Sequence, residues 1–301
     1  MTPKFETGKA LGFALEVFRA RQSAFLILAL WTAVYGAVMG VLVLQQAGDE
    51  LAEYVRVSQA FNTSVGRPDA NPQAVMEAMG QYLAALLPFL AVGTVAGVIL
   101  ESAWLRLFVR GEGGGPFPFR LGRDEGVFTL TALILTIIAI AAFFLASIVI
   151  VLIMTVFALG GPAGAALGGA IGILALFTLM AVVATHLSPV LGLSLLQGKP
   201  AIVEGIRGAR QMFWPLLGAL AVAMLVSFLA SLITVGLFGA MPFDQYGRTD
   251  GGEPAGTPIL FGFYFFAQLV AVIPAALLRG AASYAALQID AANRPASDAF
   301  S

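Results

Sequence analysis

Glu101, His186 and Arg279 are the residues with chemical potential in a chain otherwise poor in such groups. Each follows roughly 20–25 uncharged residues counted from the expected outer side of its span, the length of a bilayer crossing. A carboxylate, an imidazole and a guanidinium at one depth can do two things. They can form an ion pair, and they can add a group that titrates near neutral pH. The expectation is that Glu101 pairs with Arg279, with His186 close by, at the floor of a cytoplasm-facing cavity where protonation couples to movement. The competing reading is structural. Long charged side chains near a helix end reach the headgroups, and a lone His beside Ser188 and Pro189 can serve one interhelical hydrogen bond.

The elements that must carry these residues are long and apolar. From Gly126 to Gly198 there is no Asp, Glu, Lys or Arg. Apolar residues make up 59% of the 301 residues and charged ones 11%, where a soluble domain carries about a quarter. So few charges cannot cover a water-facing surface, and lipid must cover most of it. Six apolar segments are expected, near Ala24–Leu44, Gln81–Val109, Val127–Leu159, Gly164–Leu196, Trp214–Met241 and Ile259–Leu287. Gly160-Gly161-Pro162 breaks the third from the fourth as a tight hairpin. The fold class is all-α and polytopic, one membrane domain over residues 1–301. The first apolar block exceeds a secretory core of roughly 7–15 residues and is read as an uncleaved span.

Orientation follows from the cations. Thirteen of the 16 Lys and Arg fall on one side of the expected spans and three, Arg56, Arg67 and Arg248, on the other. That bias predicts that both termini are cytoplasmic. Trp104, Trp214 and Tyr284 are expected at the inner boundary and Tyr82 at the outer one. The acidic stretch from Asp49 to Gly80 is expected outside, with a helical face broken near Gly66-Arg67-Pro68-Asp69. Phe243 to Pro258 reads as a loop.

A weak repeat is visible. Ala20-Arg21-Gln22 and Ala209-Arg210-Gln211 each stand just before an odd-numbered span, and Phe119 to Glu125 enters the third. The expected layout is three helical hairpins, each entered by a cytoplasmic amphipathic segment with Arg21, Arg123 and Arg210 near lipid phosphates. The loop Leu105-Arg106-Leu107-Phe108-Val109-Arg110-Gly111-Glu112, then Pro116-Phe117-Pro118-Phe119-Arg120-Leu121-Gly122-Arg123-Asp124-Glu125, resembles uncharacterised six-span bacterial inner-membrane proteins. The general layout is similar to the membrane domain attached to some glycerophosphodiester phosphodiesterases. That resemblance implies an inner-membrane location and transfers no catalytic residues.

Small residues recur at helical spacing in Gly36 with Gly40, Gly93 with Gly97, and Gly164, Gly168 and Gly172. Such stripes let helix backbones approach, within one chain or between chains. Pro88, Pro189, Pro215 and Pro274 lie within spans. Pro189 and Pro274 stand close to His186 and Arg279, where freed carbonyls can help form ion or substrate sites.

Catalytic signatures are missing. There are no cysteines and one His, so neither a thiol nucleophile nor a metal centre is expected. The Gly111-to-Pro116 loop lacks a Gly-Lys-Ser/Thr and reads as a connector, not a phosphate loop. No cofactor and no nucleic-acid partner are expected. Two function classes remain. One is a non-enzymatic component for membrane-complex assembly, envelope maintenance or regulation, partnered by lipids, a membrane protein or itself. The other is a transporter or lipid-handling protein with a cytoplasm-facing polar cavity.

Overall fold

A chain this apolar must satisfy its backbone internally, and helices do so within each segment. The computed structural model describes residues 5–64, 71–113, 115–117, 120, 122–238 and 257–293, and among them all regular structure is helical. Eight helices follow in order among these residues: α1 (Thr7–Ala20), α2 (Gln22–Ser64), α3 (Pro72–Arg110), α4 (Arg123–Ala158), α5 (Gly161–Gln197), α6 (Ile202–Gln211), α7 (Phe213–Phe238) and α8 (Thr257–Asn293). Six of them, α2 to α5, α7 and α8, are long and apolar enough to cross a membrane. Their outward side chains are those lipid would cover: Leu133, Ile137, Phe144 and Leu152 of α4 are all more than half exposed.

Two expectations are refined. The helical face expected in the acidic stretch is present as a continuation of the first span: α2 runs on to Ser64, 43 residues in all. Charges end the apolar run but do not end the helix. No proline interrupts that stretch, and Arg56 pairs with Glu53 one turn away at 2.6 Å. The break near Gly66 lies outside the described residues, as does the loop expected at Phe243 to Pro258, save its last two residues. The second change concerns the entry segments. Short helices precede α2 and α7; of the segment expected to enter α4, Phe119 and Leu121 lie outside the described residues, and α4 begins at Arg123.

The chain's contacts divide it into two compact units. One comprises residues 26–100 and 228–273. Here Gly36 lies under the Gln268 side chain and Gly40 under the Tyr264 ring, while Tyr35 Oη donates to the Gly93 carbonyl at 2.7 Å. Tyr54 and Tyr82 stack with centroids 6.3 Å apart.

The other unit comprises residues 1–25, 101–227 and 274–301 and holds every residue of interest below. Small residues bring its helices together. A Cβ on Gly280 would meet the Ala14 backbone nitrogen at 3.1 Å, one on Gly205 the Val190 Cα at 3.1 Å, and one on Gly208 the Ile289 side chain at 2.5 Å. The α4–α5 hairpin turns at Gly161, whose φ of +80° suits only glycine. Gly164, Gly168 and Gly172 then face Phe157, Met154 and Ile150 of α4.

A polar clasp gathers the ends of α3, α4 and α5. Glu125, in the first turn of α4, accepts the Gly122 N–H at 2.9 Å and so caps its own helix. The same carboxylate pairs with Arg106 of α3, with both side chains 6% exposed. Arg110, one turn on, pairs with Asp124 at 2.6 Å and donates to the Leu195 carbonyl. Leu195 lies in the last turn of α5, where carbonyls lack helical partners and attract cations. Helix α5 then ends in left-handed Gly198 (φ +64°). The Arg and Asp/Glu residues of the Leu105-to-Glu125 loop therefore hold three helices together.

Candidate functional site

Glu101 sits nine residues before the end of α3, and Arg279 lies past the middle of α8. They meet in a two-pronged ion pair. Arg279 Nε donates to Glu101 Oε1 at 2.8 Å and Nη2 to Oε2 at 2.6 Å. The guanidinium lies over the Trp104 ring, its central carbon 5.1 Å from the centroid, within cation–π range. Trp104 is fully buried beneath it, with Phe25 edge-on at 4.9 Å. Trp104 is thus a platform for Arg279 and not the boundary aromatic expected from its position. Trp214 does face outward, 77% exposed.

His186 stands elsewhere. Its Nδ1 donates to the Val182 carbonyl at 2.8 Å, and its ring packs on Phe213 at 5.2 Å. His186 follows Thr185 by one residue, about 100° around the helix, and is not among the residues that line the cavity beside Glu101 and Arg279.

The face carrying Thr185 and Ser188 borders a cavity of about 300 Å³ among α3, α5, α7 and α8. Glu101 and Arg279 form its charged wall; Leu105, Leu191, Leu217 and Leu278 are among its apolar ones. The cavity is at the small end of the range for ligand sites, about 300–1,000 Å³. Its hydroxyls are already engaged: Thr185 Oγ1 donates to the Ala181 carbonyl at 2.7 Å, and Ser188 Oγ to the Thr185 carbonyl at 3.2 Å. That second bond has a clear origin. Pro189 has no N–H, so helical pairing leaves the Thr185 carbonyl free, and Ser188 takes it. The carbonyl freed by Pro189 therefore already accepts one hydrogen bond. Ala184, Ala221 and Met224 on the rim are exposed, so the cavity opens between α5 and α7.

What can this arrangement do? Two prongs of Arg279 are spent on Glu101, leaving the pair neutral overall. Nη1 is buried with no hydrogen-bond partner among the described residues, as is Ser283 Oγ one turn along α8. No group of three or more potential metal ligands occurs among the described residues. Apart from the ion pair and the two hydroxyls, the lining of the cavity is apolar. It suits an apolar occupant.

Breaking the pair should be measurable. Glu101→Gln leaves Arg279 stacked on Trp104 without its counter-charge and should cost about 1–3 kcal/mol, below a fully enclosed pair because Glu101 is 34% exposed. Arg279→Lys keeps the charge but loses the planar fork and should cost nearly as much. Thermal unfolding in detergent checks both. Wild-type stability in the Lys variant would mean that only charge matters at this position.

The residues expected at lipid phosphates are on the surface. Arg21 lies against Gly111, Arg123 Nη2 reaches the Gly198 carbonyl at 3.5 Å, and Arg210 is exposed in the last turn of α6. Sequence reasoning does not single out Arg207, which lines a second cavity of about 560 Å³ with Glu204. A signal exists, since Arg207 is one turn from Glu204 on a helix of only 10 residues. Comparison with protein-family models, curated proteins and solved structures finds no match to this chain.

Proposed function

We propose that this chain is a non-enzymatic, lipid-handling protein of the bacterial inner membrane. It is built from three helical hairpins, with both termini in the cytoplasm. It takes one acyl chain of a membrane lipid into the cavity between α5 and α7. The observation that carries this reading is the lining. Apart from the closed Glu101–Arg279 pair, the walls are aliphatic or have hydroxyls already bonded to their own helix. A polar solute or an ion would lose its water there and gain too few partners. A hydrocarbon chain fills such a space without penalty, and the exposed rim gives it a lateral path from the bilayer.

The assembly reading rests on the glycine stripes. Those stripes are used within the chain: Gly36, Gly40 and Gly93 in one unit, Gly164, Gly168 and Gly172 in the other. Only Gly97 of the set has open space, with nothing within 4 Å of where a Cβ would stand.

The test is native mass spectrometry on protein released from native-lipid nanodiscs. Wild type should retain a lipid that Ala221→Phe, which fills the mouth of the cavity, loses while staying folded. Equal retention by both proteins, or none by wild type, would sink the reading.

A further inference from the structure

The second cavity is independent of the first and shares no lining residue with it. It lies among Phe5, the helix α6, the start of α7 and the last turns of α8. Its character differs as well. Glu204, Arg207, Gln211, Gln288 and Asn293 supply polar groups, and Met212, Pro215 and Ile289 an apolar side.

Glu204 and Arg207 stand three residues apart on α6, a spacing that commonly closes an ion pair. Here neither forms a hydrogen bond or ion pair among the described residues, although Glu6–Lys9 and Glu53–Arg56 close at the same spacing. Two opposite charges therefore line one cavity without satisfying each other. Their Cβ atoms are one turn apart, about 5–6 Å. The complementary ligand carries an anion and a cation at comparable separation.

We infer that this cavity binds the headgroup of a zwitterionic phospholipid of the phosphoethanolamine type. Its phosphate would meet Arg207 and Gln211, and its primary ammonium Glu204 with the side-chain carbonyls of Gln288 and Asn293. A phosphoethanolamine headgroup has its ammonium two carbons from a phosphate oxygen, which suits neighbouring turns of one helix face. A primary ammonium also offers three N–H donors, which a quaternary ammonium lacks. The lipid source follows from the surroundings. Val203 on α6 is 64% exposed and Trp214 on α7 is 77% exposed, so apolar and aromatic surface flanks the cavity as at a membrane boundary. Met212, Pro215 and Ile289 would then meet the glycerol and ester region.

The experiment uses the full chain in detergent and compares phosphatidylethanolamine, phosphatidylglycerol, phosphatidylcholine and phosphatidic acid with matched acyl chains. Native mass spectrometry reads the bound fraction. Wild type should hold phosphatidylethanolamine about tenfold more tightly than the other three, the scale of one charge-assisted contact. Glu204→Gln should abolish that preference and leave phosphatidylglycerol bound as well as before or better. Arg207→Gln should weaken all four. Soluble phosphoethanolamine should compete poorly, because it lacks the glycerol contacts. Wild-type preference for phosphatidic acid or phosphatidylglycerol would overturn the inference in favour of a plain phosphate site. So would an undiminished ethanolamine preference in Glu204→Gln, or displacement by soluble phosphoethanolamine at equal concentration. Both substitutions are outside the buried core, and gel filtration confirms that the variants remain folded. Ala221→Phe should leave this preference intact, so loss of one lipid site is distinguishable from loss of the other.

Discussion

Glu125→Gln should be among the most damaging single substitutions in the chain, costing about 3–5 kcal/mol of stability. The carboxylate does three jobs. It pairs with Arg106, accepts the Ser102 hydroxyl at 3.5 Å and accepts the Gly122 N–H at 2.9 Å. Glutamine keeps the size and one acceptor but removes the counter-charge that faces a guanidinium whose side chain is 6% exposed. Breaking a buried pair from one side is the expensive outcome, far more than the pair is worth when intact. A double variant gives the sharper test. Arg106→Met with Glu125→Leu removes both charges together, and its stability should return to within about 1–2 kcal/mol of wild type. Asp124→Asn provides the comparison, because its pair with Arg110 is about a quarter exposed on each side and should be worth about 1 kcal/mol or less. Unfolding in mixed micelles measures all of these. If the double variant is as unstable as Glu125→Gln, the loss comes from packing and the electrostatic account is wrong.

Gly164→Ala and Gly168→Leu should each destabilise the α4–α5 hairpin by about 1–3 kcal/mol, and together by more. A Cβ at Gly164 would stand 2.2 Å from the Phe157 carbonyl oxygen, which is backbone and cannot rotate aside. At Gly168 the first Cβ contact is Phe157 Cβ at 2.6 Å, with the Met154 Cα at 3.4 Å. The helices must separate, and the close dispersion contacts along the stripe are lost with them. Gly97→Ala is the control. A Cβ there has nothing within 4 Å, and alanine is the better helix former, so stability should hold or rise by up to about 1 kcal/mol. Thermal melts together with proteolysis of the 160–162 turn separate local opening from global unfolding. Equal tolerance at Gly97 and Gly164 would refute close packing of the hairpin. One consequence bears on partner searches. A partner lost on Gly164→Leu would say little about an interface, because the hairpin itself gives way first.

Particular residues show where sequence reasoning reaches and where it stops. The six long helices follow from runs of uncharged residues, since burial of bare backbone in lipid leaves no other solution. The turn at Gly160-Gly161-Pro162 follows from residues that cannot continue a helix. Glu101 and Arg279 are both marked by depth, and so is His186. Depth is one coordinate of a helical residue; rotation about the axis is the other. His186 is one residue from Thr185 and so about 100° around the helix. Nothing local sets that angle, because α5 is apolar on every side. Arg106 and Glu125 are hidden for a different reason. Charges at a membrane boundary are ordinarily solvated, and these two are enclosed only through neighbours distant in sequence. Helix α2 outruns its apolar stretch because hydropathy marks lipid, not helix ends.

The Glu101–Arg279 contact also has an order of events built into it. Its two halves are 178 residues apart, whereas Arg106 and Glu125 are separated by 19. During synthesis the shorter link can close as soon as α4 begins to emerge. The longer one must wait for the final helix. A nascent chain lacking α8 therefore presents Glu101 without its guanidinium. Such a chain keeps an unmatched acid in an apolar wall until translation delivers Arg279.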